Sequence, residues 1–166
     1  MIVGNSLNHI QQFKELIKLH NHYEENPNSL QRALAFASAS WHLIEWVLKE
    51  VNPKPSSAQL EEFRKTLYPK CPYLELMHDI ANTNKHRFLS KPKSNLSLVI
   101  KQNSPFNNAF TKQFGVDSLI LEMDNGSKLK FTEVANQILS FWLTYYQEVL
   151  NIPNDQLTIK MDDYFI

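Results

Sequence analysis

Acidic, amide, imidazole and cationic side chains are concentrated in one stretch of the chain, residues 79–87, with the sequence Asp-Ile-Ala-Asn-Thr-Asn-Lys-His-Arg. Imidazole titrates near neutral pH, so His86 is a candidate general acid or base. Asn82 lies one helical turn before His86 and could orient its ring or a substrate oxygen. Lys85 and Arg87 could stabilise a phosphate through charge-assisted hydrogen bonds. We therefore predict His86, Asn82 and Lys85 as catalytic residues and Arg87 as a substrate-binding residue.

This stretch belongs to a helix predicted over residues 72–89. On a helical wheel Glu75, Asp79, Asn82 and His86 share one face, because these spacings bring side chains together on successive turns. The other face is apolar, with Leu74, Met77, Ile80, Ala81 and Phe88. A solvated surface helix has the same pattern, and the macrodipole favours cations at a helix C-terminus. The wheel alone leaves both interpretations open.

A second polar stripe lies on the helix predicted over residues 30–51. Most of that helix is apolar, which predicts a central position in a bundle. Its narrow polar stripe consists of Gln31, Ser38, His42, Glu45 and Lys49. Buried polar groups need partners, so we expect the polar row of the 72–89 helix to face this stripe. His42, Glu45 and Asp79 therefore join the predicted substrate-binding residues.

Composition limits the classes of protein that fit. A chain of 166 residues with 43% hydrophobic and 20% charged side chains predicts a single globular domain, residues 1–166. Lys plus Arg equals Asp plus Glu at 17 each, which argues against coating nucleic acid through overall charge but permits a local basic patch. Three glycines disfavour a glycine-rich nucleotide-binding loop or an all-β fold.

Turn and capping signals divide the chain into about five helices and a small β insertion at about residues 94–131. Helices are predicted over 6–25, 30–51, 56–67 and 72–89, followed by a strand at 96–100. Asn28 or Ser29 could cap the second helix, and Ser56 with Gln59 resembles a capping box. Residues 124–126, Asp-Asn-Gly, predict a hairpin turn, with Phe131 on the returning strand. Thr132 is the predicted cap of an aromatic last helix.

Cysteine, histidine and hydropathy patterns indicate little further chemistry. Cys71 is the single cysteine, which excludes a disulfide within the chain, and an incidental structural role is expected for it. His20 and His22 diverge on a helix, and His78, Asp79, Asn82 and His86 match no metal motif, so we predict no metal and no cofactor. The chain has neither a signal-peptide pattern nor a membrane-spanning stretch, which predicts a cytoplasmic protein without a membrane partner.

Residues 79–86, Asp-Ile-Ala-Asn-Thr-Asn-Lys-His, resemble the HEPN-like helical proteins of prokaryotes. They are most similar to uncharacterised bacterial proteins with an Asp-(Leu/Ile)-Ala-Asn-x-x-Lys-His helix. Residues 41–46, Trp-His-Leu-Ile-Glu-Trp, and residues 141–146, Phe-Trp-Leu-Thr-Tyr-Tyr, match the upstream and last helices of those proteins. The resemblance spans residues 30–150 and implies a HEPN-like bundle with a β-hairpin before its last helix.

The HEPN group includes metal-independent endoribonucleases of toxin–antitoxin and antiviral systems, which act as dimers. The resemblance therefore implies an RNA partner, a homodimer and a histidine role that falls on His86. Those enzymes carry an Arg-x(4–6)-His motif, and none of Arg32, Arg64 or Arg87 precedes a histidine at that spacing. The alternative hypothesis is a non-catalytic helical interaction module that forms a dimer or binds a protein partner.

Overall fold

The computed structural model describes residues 8–85 and 119–159, with side chains described for 8–82 and 119–159. The helices are α1 (His9–Glu25), α2 (Leu30–Val51), α3 (Ser57–Leu67), α4 (Tyr73–Lys85), α5 (Phe131–Thr144) and α6 (Asn154–Leu157). Strands β1 (Ile120–Glu122) and β2 (Lys128–Lys130) precede α5, and a π-helical turn (Tyr145–Val149) follows it. The predicted class, a mainly α-helical bundle with a small antiparallel hairpin before the last helices, is confirmed.

Several predicted features fall on residues that the structure does not describe. They are His86, Arg87 and the strand predicted at 96–100. These interpretations remain predictions.

Short polar side chains begin the first three helices. Asn8 and Gln11 form a capping box at the start of α1, so that helix begins at His9 rather than near residue 6. Ser29 accepts a hydrogen bond from the backbone N–H of Arg32 and caps α2. Ser56 and Gln59 form the predicted capping box of α3, with the Gln59 side chain accepting from Ser56 N–H at 2.9 Å. These bonds satisfy backbone donors that the helix itself leaves unpaired.

The hairpin turns as predicted, but through three residues rather than two. Leu121 pairs with Leu129, and the loop is closed by Gly126 N–H donating to Met123 O at 2.9 Å and Met123 N–H donating to Ser127 O at 2.8 Å. Within the loop only Gly126 has a positive φ, of 79°. This matches a three-residue loop whose last position favours glycine, whereas a two-residue Asn-Gly turn needs two positive φ angles.

The predicted start of the last helix is wrong by two residues. Helix α5 begins at Phe131, a residue that the sequence pattern assigns to the strand, and its N-cap is Lys130 without a side-chain bond. Thr132 does not cap it; its hydroxyl lies 3.2 Å from the Tyr23 hydroxyl of α1. Burial explains the difference, because Phe131 is 1% exposed and packs edge-to-face on Tyr23, with ring centroids 5.0 Å apart. A tertiary contact thus overrides the local β pattern.

Large aromatic side chains fill the space between α1, α2, α4 and α5. Trp142, Tyr146, Phe13 and Phe36 are all fully buried, and the rings of Phe13 and Tyr146 stack with centroids 4.5 Å apart. Helix α2 packs against both α1 and α4, as expected for a central helix. No helix among the described residues is long and apolar enough to cross a membrane.

The π-helical turn holds the end of α5 against the start of α1. Leu150 N–H donates to the Tyr145 carbonyl, five residues back, at 3.1 Å. The Tyr146 hydroxyl donates to the His9 carbonyl at 2.7 Å, and His9 Nδ1 lies 3.3 Å from the same hydroxyl. His9 Nε2 lies 3.7 Å from Glu50 of α2. One imidazole therefore connects three helical segments.

The burial of His9 predicts a loss of stability in mild acid. Desolvation lowers the pKa of His9 below 6.5, although Glu50 partly opposes it. Below pH 6.5 the unfolded chain therefore binds a proton that the folded chain resists, so the free energy of unfolding falls as pH falls. We expect a lower urea midpoint at pH 5 than at pH 7.5, and a smaller difference in His9→Gln. An equal pH dependence in the variant would contradict this explanation.

The stability that depends on His9 is expected to change in a higher pH range than the stability that depends on Glu45. The pKa of Glu45 is lowered below 4.5, mainly by its hydrogen bond to Lys49. The stability that Glu45 contributes is therefore lost only at a lower pH, as the solution becomes acidic enough to protonate the folded carboxylate.

Cys71 is buried, with 5% of its surface exposed, just before α4. Burial raises the pKa of its thiol to about 11, and the thiolate is the reactive form. We expect the native protein to react with a chromogenic disulfide reagent at pH 8 far more slowly than the urea-unfolded chain does. Equal rates in both states would contradict a buried thiol.

Candidate functional site

Helix α4 carries the described part of the predicted polar row, Glu75, Asp79 and Asn82, and these side chains do not face open solvent. Asp79 is fully buried, and Glu75 and Asn82 are partly buried. On the apolar side Leu74, Met77 and Ile80 are also completely buried. The solvated-helix interpretation is therefore wrong for the described part of α4, since a buried carboxylate requires compensating partners.

The partner of Asp79 in α4 is His78, the preceding residue. His78 Nδ1 lies 2.8 Å from Asp79 Oδ1, and His78 Nε2 lies 2.7 Å from Asn82 Nδ2, one turn further along the helix. The His78 side chain is 14% exposed. Sequence reasoning placed His78 beside the polar row, whereas the structure makes it the group that connects Asp79 with Asn82.

Trp41 of α2 packs against this imidazole. The two ring centroids are 4.6 Å apart and the planes are inclined by 65°. The Arg64 guanidinium of α3 lies over the same indole, with Cζ 4.1 Å from the ring centroid. Three consecutive helices, α2, α3 and α4, therefore bring a tryptophan, an arginine and a histidine together around one indole ring.

Arg64 and Tyr68 were missed by sequence reasoning. Arg64 Nη1 lies 3.6 Å from Glu61; among the described residues, its buried Nε and the buried Tyr68 hydroxyl have no hydrogen-bond partner. Desolvation raises the pKa of Tyr68, and nearby carboxylates, including Asp79, raise it further. Nothing in the local pattern of α3 singles out these residues, because their positions depend on contact with α2 and α4.

The polar stripe of α2 borders the site. We expected it to pair with α4, but among the described residues its His42 and Glu45 do not. His42 is exposed, and Glu45 bonds to Lys49 of its own helix at 2.7 Å. Electrostatic interactions with nearby His42 and Arg64 also help to lower the pKa of Glu45. The stripe therefore contributes charges next to Arg64, and Trp41 rather than His42 or Glu45 makes the contact with His78.

The remaining predicted residues are Lys85, His86 and Arg87. Lys85 is the last described residue of α4, and its side chain, like His86 and Arg87, lies outside the described part of the chain. Their catalytic and substrate-binding roles stay predictions. Of the predicted set, the structure brings together Asp79 and Asn82 through His78, which packs on Trp41 of α2.

Two further histidines, His20 and His22, contact neighbouring side chains of the fold. His20 Nε2 lies 2.6 Å from Asn136 Oδ1 and the residue is 5% exposed, whereas His22 is exposed and contacts Glu25. The predicted divergence of His20 and His22 is confirmed. Across residues 8–85 and 119–159, no three His, Cys, Asp or Glu side chains are grouped so as to hold a metal ion.

No protein-family model, curated protein or solved structure matches the chain.

Proposed function

We propose that the chain is a HEPN-like protein that engages RNA at the end of α4 and cleaves it without a metal ion. Its setting would be a prokaryotic defence or toxin–antitoxin system, as the resemblance of residues 79–86 implies. His86 acts as the acid–base group, Asn82 orients it or a substrate oxygen, and Lys85 and Arg87 bind phosphate.

The observation that carries the proposal is the buried Asp79–His78–Asn82 network. A fully buried carboxylate is costly unless it is paired, and costly ionisable groups concentrate at functional sites. Here the network ends on Asn82, the first polar residue after Asp79 in the segment that continues to Lys85 and His86. The fold therefore fixes a residue of the predicted site rather than a residue remote from it.

Arg64 supports the same conclusion from a different helix. Its guanidinium lies over Trp41, whose ring contacts His78, so an arginine stands near a histidine of α4 despite the absence of the Arg-x(4–6)-His spacing. Guanidinium groups suit phosphate because they donate several hydrogen bonds in a fixed plane. The proposed phosphate contacts are thus Lys85, Arg87 and Arg64.

The proposed reaction is an internal transesterification. The ribose 2′-hydroxyl loses its proton to a base and its oxygen attacks the adjacent phosphorus. The bond from phosphorus to the 5′ oxygen breaks, and that oxygen takes a proton. The products end in a 2′,3′-cyclic phosphate and a 5′-hydroxyl, so the nucleophile comes from the RNA itself.

One observation favours the non-catalytic alternative. Both ring nitrogens of His78 already have partners within α4, so this imidazole is not available to a substrate as placed. A hydrogen-bond network whose groups find their partners within one helix also suits a structural element of an interaction module. Under this alternative the polar row fixes the packing of α4, and the chain forms a dimer or binds a protein partner.

The deciding experiment incubates the purified chain with end-labelled structured RNA in EDTA. We expect cleavage products ending in a cyclic phosphate, and no cleavage where the 2′-hydroxyl at the cut site is removed. Arg64→Gln should weaken RNA binding more than Arg32→Gln. Arg32 is a suitable control because it is also partly buried and pairs with Glu25, away from Trp41.

Intact RNA at high protein concentration would refute cleavage by the chain alone. Binding without cleavage would reduce the function to RNA engagement. If the chain neither bound nor cleaved RNA, the interaction module would become the better account, and light scattering of the full chain would test its oligomeric state.

A further inference from the structure

We infer that Asp79 and His78 are positioning residues that fix the amide of Asn82 in one orientation, so that its carbonyl oxygen accepts a hydrogen bond from a ribose 2′-hydroxyl. The ribose part of this inference rests on the proposed function. The geometry of the three side chains stands independently of it.

The first bond decides which nitrogen of His78 carries the hydrogen. An ionised carboxylate offers acceptors only. Because Asp79 Oδ1 lies 2.8 Å from His78 Nδ1, Nδ1 is the donor of this pair. We assign to His78 the neutral tautomer with its hydrogen on Nδ1, in which Nε2 keeps its lone pair and can accept.

The second hydrogen bond fixes the orientation of the side-chain amide of Asn82. Nε2 accepts from the amide nitrogen of Asn82 at 2.7 Å. A side-chain amide can rotate by half a turn and exchange its oxygen and nitrogen, but only the orientation with nitrogen towards Nε2 gives a hydrogen bond here. The carbonyl oxygen of Asn82 is consequently directed away from His78.

Packing prevents the imidazole from turning over. Asp79 is fully buried. The His78 ring packs against the Trp41 ring, with the two ring centroids 4.6 Å apart. Arg64 covers the same indole at 4.1 Å. We call the chain of hydrogen bonds from Asp79 through His78 to Asn82 the relay. Packing from α2 and α3 supports the relay, which accounts for a buried carboxylate at this position.

An amide fixed in this way has one acceptor oxygen and one further N–H left to use. A 2′-hydroxyl is both donor and acceptor, and DNA lacks it. Asn82 held by the relay would therefore favour RNA over DNA of the same sequence. A purely structural role for the network has no such consequence.

The test compares binding of matched single-stranded RNA and DNA oligonucleotides by fluorescence anisotropy. Asn82→Ala should lower the RNA-over-DNA affinity ratio by about five- to tenfold, the worth of one hydrogen bond. His78→Phe retains a ring against Trp41 but removes both nitrogens, and it should lower the ratio equally. The double variant should lose nothing further. Additive losses, or unchanged ratios in both single variants, would overturn the positioning role.

A second measurement does not depend on RNA. In wild-type protein with ¹⁵N-labelled histidine, NMR should show His78 Nδ1 protonated and Nε2 unprotonated, with the signals assigned by their loss in His78→Gln. A proton on Nε2 would overturn the relay. Failure of the wild type to prefer RNA would overturn the ribose assignment alone.

Discussion

Replacing His86 by alanine is expected to lower the rate of metal-independent RNA cleavage by about 10²- to 10⁴-fold, the usual contribution of a general acid or base. The melting temperature should stay close to that of the wild type, because the role assigned to His86 is chemical. The measurement is single-turnover cleavage of labelled RNA in EDTA, together with thermal melting followed by circular dichroism.

His22→Ala is the matched control for this variant. His22 is an exposed imidazole of α1 that contacts Glu25 and has no role in the proposed site. If His22→Ala reduced cleavage as much as His86→Ala, the acid–base role could not be assigned to His86. A wild-type rate in His86→Ala would remove it from the mechanism altogether.

Replacing His78 by alanine is expected to lower the free energy of unfolding by roughly 3 kcal/mol. The variant removes a donor from a carboxylate that remains buried, and breaking a buried charged pair costs more than breaking a surface pair. It also removes the ring that packs on Trp41 at 4.6 Å. Urea unfolding at pH 7.5 measures the change.

Exposed histidines provide the comparison. His42→Ala should change the free energy of unfolding by no more than about 0.5 kcal/mol. If His78→Ala were as mild, Asp79 would not depend on the imidazole. An additional loss of stability in Asp79→Leu/His78→Ala would also contradict the pairing, because removing both partners together avoids an isolated buried charge.

Local sequence signals were sufficient for much of the fold. Capping residues such as Ser29 and Ser56 and the glycine at 126 act over a few residues, so their effects can be predicted from short segments. Phe131 shows the limit of this reasoning. Its place at the start of a helix depends on packing against Tyr23, more than 100 residues earlier.

The candidate site was less predictable because its contacts are long-range. The helical wheel identified Asp79 and Asn82 as neighbours on one face, but a wheel does not show which face is covered by other helices. The importance of His78 depends on Trp41, and that of Trp41 depends on Arg64. These three residues belong to different helices, so no local spacing connects them.

The π-helical turn after α5 determines how the chain responds to the deletion of a single residue there. A π turn holds one residue more than an α turn, and here it closes from Leu150 back to Tyr145 at 3.1 Å. Deleting a residue between 145 and 149 would restore ordinary α geometry locally but rotate everything that follows. The same turn anchors the Tyr146 hydroxyl on the His9 carbonyl. The register of the C-terminal segment is therefore set by a residue count at this turn.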